Sequence, residues 1–157
     1  MKILIADDDP VSRRLLEASL NTWGYEVHET RDGAAAWQAL QRPDAPRLAI
    51  VDWVMPEMDG LEVCRRMRAL PTLAPTYLIM LTAQACKGNA AAALDAGADD
   101  FVTKPFDRDE LRARVQVGCR MLELQQKLAQ RVQELEAAVA HVKQLHGLLP
   151  ICCYCKK

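Results

Sequence analysis

The chain has 157 residues, half of which are apolar, and its formal net charge is −1. This length allows one well-buried core, with roughly 30 to 40 residues left over. The near-neutral charge gives no electrostatic reason to expect direct binding to nucleic acid or to a membrane surface.

We expect neither a signal peptide nor a membrane span. No run of about 18 apolar residues is present, and the charged Lys2 and Asp7 do not fit a signal peptide. We therefore expect a cytoplasmic protein, in which the six cysteines start as thiols rather than as disulfides.

The first predicted element is an apolar strand over residues 2–6, and acidic residues follow it directly. Asp9 precedes Pro10, which is the arrangement of a helix N-cap and its first helical residue. Asp7 and Asp8 are adjacent carboxylates, which repel one another unless a cation offsets their charge. Oxygen ligands at the end of a strand suit Mg²⁺, which binds through few carboxylates and keeps several waters. The alternative is a solvated acidic turn.

Helix and strand then alternate up to the middle of the chain. Apolar residues recur at helical spacing over residues 11–22, and Gly24 is a candidate C-cap residue. Residues 25–29 alternate as a strand, and an alanine-rich helix is predicted over residues 33–40.

A short apolar run, residues 48–51, is typical of a strand buried on both faces, as in a parallel sheet. Asp52 follows at its carboxyl end, where chemistry collects in open α/β sheets. An Asp at this position is a metal ligand, a nucleophile or a turn cap. Asp59-Gly60 then begins another helix.

Two more strands complete the pattern. A buried strand over residues 76–81 precedes Thr82, a small-residue helix covers residues 90–96, and a fifth strand over residues 99–103 precedes Lys104. Strands that alternate with helices about every 20 to 25 residues predict a parallel sheet with right-handed crossovers. We therefore predict an α/β fold with a five-stranded, doubly wound, flavodoxin-like sheet. In the order 2-1-3-4-5, the polar groups at the strand ends meet at one edge.

Four segments carry a resemblance to a known family: Leu4-Ile-Ala-Asp-Asp-Asp-Pro10, Val51-Asp-Trp-Val-Met-Pro-Glu-Met-Asp-Gly60, Leu81-Thr-Ala83 and Ala98-Asp-Asp-Phe-Val-Thr-Lys-Pro-Phe106. Residues 1 to about 117 resemble the receiver domain of a two-component response regulator, similar to the bacterial chemotaxis regulator. The segments cover the whole domain in the family's order and spacing, so the match is specific.

The resemblance implies a role for each polar group at the strand ends. Asp52 would be the phosphoacceptor, and Lys104 would be the partner of its phosphoryl group. Thr82 and Phe101 would form the switch pair. A Mg²⁺ site is implied, with Asp8 bound directly and Asp7 bound directly or through water. Its ligands would be Asp7, Asp8, Asp52 and the backbone carbonyl of Val54.

The chemistry of these groups agrees with the implied roles. Phosphoryl transfer requires an in-line nucleophile and charge compensation on the phosphoryl oxygens. The carboxylate of Asp52 can attack without losing a proton, which gives an aspartyl phosphate, while Mg²⁺ and Lys104 supply the positive charge. Thr82 can donate a hydrogen bond to the new phosphoryl group, and its inward movement leaves space that Phe101 can fill.

The last helix continues past the receiver boundary. It begins near Asp107, with Glu110 in a capping box, and it runs to about residue 145. Gly118 costs about 1 kcal/mol in a helix interior and is interpreted as a hinge. Beyond it, apolar residues keep a 3-and-4 spacing with one stutter: Met121, Leu124, Leu128, Val132, Leu135, Val139 and Val142. A coiled-coil homodimer is favoured, and a helix folded back on its own receiver domain is the alternative.

The tail is expected to begin where Gly147 and Pro150 end the helix. Cys152 and Cys155 have C-x-x-C spacing, which supplies two of the four ligands of a zinc site. The segment resembles the start of a cysteine-rich tail that follows some receiver modules, so we expect the chain to be truncated at Lys157. Redox-active or unstructured thiols are the alternatives.

We interpret the chain as a receiver domain (residues 1–117), a coiled-coil helix (residues 118–146) and a cysteine-containing tail (residues 147–157). It would act as a phosphoacceptor switch rather than an enzyme, with a sensor histidine kinase or phosphotransfer protein as its partner. A haloacid-dehalogenase-type phosphatase would require a second Asp where the chain has Val54, and a cap domain for which there is no room. The near-neutral charge argues against a nucleic-acid binder that acts through the tail.

Overall fold

A computed structural model describes residues 1–70, 75–83 and 87–148 of the chain. The strands are β1 (Lys2–Ala6), β2 (Glu26–Thr30), β3 (Leu48–Asp52), β4 (Tyr77–Ala83) and β5 (Asp100–Lys104). The helices are α1 (Pro10–Thr22), α2 (Gly33–Leu40), α3 (Gly60–Ala69), α4 (Lys87–Asp95) and α5 (Arg108–Leu148).

The five strands form one parallel sheet in the order β2-β1-β3-β4-β5, which confirms the predicted fold. β3 is buried along its whole length, as its apolar run predicted. β2 and β5 are the edge strands, and both are only partly buried.

Side chains that alternate along the strands build a core on each face of the sheet. One core joins Leu4, Val51 and Met80 to residues of α2, α3 and α4. The other core joins Ile50 and Leu81 to residues of α1 and α5. Both faces are covered, which is why the central strands read as continuous apolar runs.

Aspartates cap the helices that follow the strands. The side chains of Asp9, Asp32 and Asp59 accept hydrogen bonds from backbone N–H groups in the first turns of α1, α2 and α3. Asp107 accepts a bond from the backbone N–H of Asp109 at 2.7 Å, at the start of α5. Each cap contributes about 1 kcal/mol and sets the residue at which its helix begins.

Four strands, β2 to β5, end one or two residues later than the sequence predicted, and three of them thereby include a candidate site residue. Asp52 is the last residue of β3, Thr82 lies inside β4, and Lys104 is the last residue of β5. The apolar runs locate the strands, but a polar residue in the last ladder position has no local signature. These three side chains are therefore held by the sheet rather than by loops.

The described part of α5 ends at Leu148, one residue past Gly147, so the end of the helix at Gly147 and Pro150 stays a prediction. A glycine costs about 1 kcal/mol in a helix but does not by itself end it. Pro150 lies outside the described residues. None of the described helices has both the length and the apolar character needed to cross a membrane.

The chain divides into two compact units, Met1–Leu122 and Glu123–Lys157. The first unit extends past the expected limit at residue 117 because Leu122 is buried in the core between the sheet and α5. In the second unit, every side chain from residue 123 to residue 145 is exposed. The structure therefore describes a long single helix, and the coiled coil stays a prediction.

Gly118 packs closely against the sheet. A Cβ atom at this position would lie 2.7 Å from the Tyr77 ring and 2.9 Å from Leu48 Cδ1. Leu48 is fully buried and Tyr77 nearly so, so neither can move aside easily. The glycine therefore allows α5 to approach β3 and β4, a reason that the hinge interpretation did not contain.

We predict that Gly118→Ala destabilises the protein by about 1 to 3 kcal/mol, because overpacking outweighs the gain in helix propensity. Gly88→Ala is the matched control, because Gly88 is also helical and has no atom within 4 Å of its Cβ position. The control should leave stability unchanged or raise it by up to about 1 kcal/mol. Urea unfolding measures both changes, and equal midpoints for the two variants would contradict the packing argument.

Candidate functional site

The sheet brings two aspartates side by side. Ala6 at the end of β1 pairs with Val51 of β3, so the next residues, Asp7 and Asp52, are neighbours at the carboxyl edge. Asp7 is fully buried and Asp52 is 9% exposed. Two neighbouring carboxylates that are both buried repel one another, so they require a cation close by to stay ionised.

Lys104 supplies that positive charge from the end of β5. Its Nζ donates to Asp7 Oδ2 at 2.8 Å and to Asp52 Oδ2 at 3.0 Å. The peptide bond between Lys104 and Pro105 is cis. Through these two hydrogen bonds, the ammonium group links the carboxyl ends of β1, β3 and β5.

Two further hydrogen bonds fix the position of Asp7. Its Oδ1 accepts a hydrogen bond from the backbone N–H of Asp9 at 2.9 Å, and its carbonyl oxygen accepts one from Arg13 Nη1 at 2.9 Å. Asp9 also caps α1. The orientation of the Asp7 carboxylate is thus set by the turn that begins the helix.

The three charged groups shift one another's pKa. Burial raises the pKa of Asp52 to about 6, against the lowering effect of Lys104. Burial also acts on Asp7, but hydrogen bonds from Lys104, Ser12 and Asp9 outweigh it and hold that pKa below its usual value. Burial tends to lower the pKa of Lys104, but its two carboxylate partners outweigh this and raise it. At neutral pH the groups are therefore ionised, and Asp52 holds a proton most readily.

The acidic residues are arranged as a candidate metal site. Asp7, Asp8 and Asp52 each offer a carboxylate oxygen, and these oxygens lie within 4.8 Å of one another. Carboxylate oxygens are hard ligands of the kind that Mg²⁺ prefers, so these three residues could hold the ion together with water. Asp8 is exposed, which leaves that side open to water ligands. The residues present therefore fit Mg²⁺.

The loop after β3 carries Val54, whose side chain is 70% exposed. The proposed role of its backbone carbonyl as a metal ligand stays a prediction. Cys152 and Cys155 lie outside the described residues, so the zinc half-site also stays a prediction.

A close backbone contact holds the loop against the site. Gly60 donates its N–H to the carbonyl oxygen of Trp53 at 2.9 Å. A Cβ atom at Gly60 would overlap the carbonyl oxygen of Asp52 and lie 2.8 Å from Met80 Sδ. The sequence indicated only a helix start here, since steric need at a glycine is visible only once the loop has closed.

Thr82 and Phe101 face the same side of the sheet. Thr82 pairs with Thr103, and Met80 pairs with Phe101, so the two candidate switch residues are diagonal neighbours on β4 and β5. Thr82 is buried, whereas Phe101 is partly buried against the core that contains Met80.

Arg114 of α5 is a contact of this region that the sequence did not indicate. Its guanidinium carbon lies 5.9 Å from the centre of the Phe101 ring. The two residues belong to different elements, β5 and α5, and no motif joins them, so only the fold shows the contact.

The family model of the response regulator receiver domain matches residues 3–116 of the chain. The response regulator MprA of Mycobacterium leprae (strain TN) is 43% identical over 115 residues, which cover 73% of this chain and 49% of that protein. The chain thus spans about half the length of the curated relatives it matches.

Solved receiver domains are similar in structure. The receiver domain of the Francisella response regulator 1452 is 30% identical with a TM-score of 0.68, covering 74% of this chain and 93% of that one. A receiver domain from a sensor histidine kinase of Pseudomonas aeruginosa PAO1 is 33% identical with a TM-score of 0.68, covering 74% of this chain and 95% of that one. That structure has a magnesium ion coordinated in its active-site cleft.

We predict that Asp8→Asn weakens Mg²⁺ binding by about tenfold, because one of the charges that hold the ion is lost. Asp9→Asn is the matched control: it removes the same charge one residue away, and asparagine caps a helix as well as aspartate does. Calorimetric titration with Mg²⁺ measures both affinities. Equal losses for the two variants would show that net charge, rather than a ligand, is responsible.

Proposed function

The chain belongs to the response regulator receiver domain family, and from this premise we propose that it is a phosphorylation-controlled switch in a two-component phosphorelay. Asp52 accepts a phosphoryl group from a sensor histidine kinase or a phosphotransfer protein, with Mg²⁺ as cofactor. The observation that carries the proposal is the Lys104 ammonium group, 2.8 Å from Asp7 and 3.0 Å from Asp52, beside the cluster of three carboxylates.

The proposed transfer uses Asp52 as the nucleophile. A carboxylate oxygen of Asp52 forms a bond to phosphorus as the phosphorus–nitrogen bond of the donor phosphohistidine breaks, and the imidazole keeps the electron pair and takes up a proton. When bound, Mg²⁺ supplies charge compensation for the phosphoryl oxygens. Lys104 already contacts an oxygen of Asp52 and can turn to an oxygen of the phosphoryl group.

The proposed switch passes through Thr82 and Phe101. The Thr82 hydroxyl donates to the new phosphoryl group, and the Phe101 ring moves into the space that Thr82 leaves. Their position as diagonal neighbours on one face of the sheet supports this step. A charge added at the buried site thereby changes the surface at β5.

The proposed output is a parallel homodimer through the exposed stripe of α5, the seven apolar residues from Met121 to Val142. Their side chains are 44 to 66% exposed, an apolar face that a second copy can cover. In a parallel pair in register, Arg131 of one chain lies beside Glu136 of the second copy, which is a favourable pair of charges. The cytoplasmic location and the signal to a partner or output domain remain parts of this proposal.

We predict that acetyl phosphate with Mg²⁺ adds one phosphoryl group to the full chain and that Asp52→Asn abolishes the addition. Asp59→Asn is the control, because Asp59 follows in the same loop and its cap on Glu62 N, at 2.8 Å, survives the change to asparagine. Intact-mass spectrometry measures the product, and hydroxylamine should remove it, as expected for an acyl phosphate. An Asp52→Asn chain that is still phosphorylated would disprove the assignment.

A second prediction concerns assembly. At micromolar concentration the full chain should sediment as a dimer, and Leu128→Glu/Leu135→Glu should sediment as a monomer, because two charges then lie in the stripe. Gln126→Glu/Gln133→Glu adds the same charge outside the stripe and should remain a dimer. If the unmodified chain is a monomer, or if both variants behave alike, the stripe does not pair two copies.

A further inference from the structure

The Asp100–Phe101 pair lies on the outer edge strand of the sheet. Because side chains alternate along β5, Asp100 and Phe101 point to opposite faces. Phe101 packs with the core that contains Met80, which lies on the side of α2, α3 and α4. Asp100 points to the other face, which α5 covers.

Arg114 reaches around this edge and contacts both residues. Its Nη1 donates to Asp100 Oδ1 at 2.7 Å and to Asp100 Oδ2 at 2.9 Å. Its Nη2 and Nε donate to Glu110 Oε1 at 3.2 and 3.3 Å. The same guanidinium group lies over the Phe101 ring at 5.9 Å, within the range of a cation–π contact.

Two carboxylates on either side leave the guanidinium group little freedom. It therefore acts as a fixed cap on one face of the Phe101 ring. A ring that rotates inward, toward the side of Thr82, leaves the cap and loses the contact. The contact is present together with the Lys104–Asp52 ion pair, which is the arrangement of the unmodified phosphoacceptor.

We infer that Arg114 is a positioning residue that holds the Phe101 ring in the orientation of the unphosphorylated receiver and thereby opposes phosphorylation of Asp52. The inference rests on the proposed function. In this inference the receiver is phosphorylated from the conformation in which the ring has left Arg114. The contact with Arg114 lowers the population of that conformation and so slows phosphorylation.

The test is the rate at which acetyl phosphate and Mg²⁺ phosphorylate the full chain. Arg114→Met should raise this rate by about two- to fivefold, the factor that corresponds to an exposed cation–π contact. Arg112→Met is the matched control, since Arg112 is exposed on the same helix and loses the same charge. Loss of a cation alone should slow the reaction of an anionic donor, so an acceleration cannot come from net charge.

A double-mutant cycle identifies the ring as the route. In a Phe101→Leu background, Arg114→Met should no longer change the rate, because no ring remains for the guanidinium group to hold. Arg114→Lys keeps the charge but cannot bind both carboxylates and stack, so its rate should lie between those of the unmodified chain and Arg114→Met. This variant also decides the question if thermal melting shows that Arg114→Met does not fold.

The outcomes separate this inference from the proposed function. If the unmodified chain gains no phosphoryl group at Asp52, the proposed function fails, and the inference fails with it. If the unmodified chain is phosphorylated but Arg114→Met and Arg112→Met react at the same rate, only the role of Arg114 is overturned. An acceleration that persists unchanged in Phe101→Leu also overturns it, because the effect then bypasses the ring.

Discussion

The rest of the site depends on the two hydrogen-bonded ion pairs that Lys104 makes with Asp7 and Asp52. Without an adjacent cation, two carboxylates in this buried setting could not both stay ionised. Burial raises the pKa of Asp52 to about 6, so this carboxylate is ionised at neutral pH by a margin of only about one pH unit. Together with Asp8, the three carboxylates and one ammonium group sum to −2 when ionised, a charge that a divalent cation balances. The negative charge of the three carboxylates is thus balanced by Lys104 and a divalent cation together.

The sheet order makes this cluster from distant parts of the chain. Lys104 lies 97 residues from Asp7 and 52 residues from Asp52 along the sequence. β3 is paired directly with both β1 and β4, and β5 follows β4, so the carboxyl ends of these strands lie along one edge. Asp52 and Lys104 occupy the last positions of their strands, and their backbone is therefore fixed by ladder hydrogen bonds. Site geometry and fold stability consequently rest on the same bonds.

The sequence was sufficient for the alternating strands and helices of the parallel sheet, because apolar runs are local signals. The strand order and the roles of the candidate site residues were implied by the resemblance to receiver domains, and the structure confirms the order. The sequence did not predict the roles of residues that depend on packing between elements. Gly118 looked like a weak point in a helix, yet its lack of a side chain admits the Tyr77 ring. Arg114 had no visible role, because its partners Asp100 and Phe101 belong to another element. Each miss depends on a contact between elements, which no local pattern records.

The beginning of the last helix is fixed by packing on the receiver core. α5 buries Leu111, Val115 and Leu122 in the receiver core, whereas Met121 is 44% exposed and begins the apolar stripe. Neighbouring positions on a helix are about 100° apart, so Met121 does not share the buried face of Leu122. Arg114 lies between Leu111 and Val115 on the same helix and contacts the edge strand. The proposed movement of the Phe101 ring would therefore change a contact made by the part of α5 that packs on the sheet.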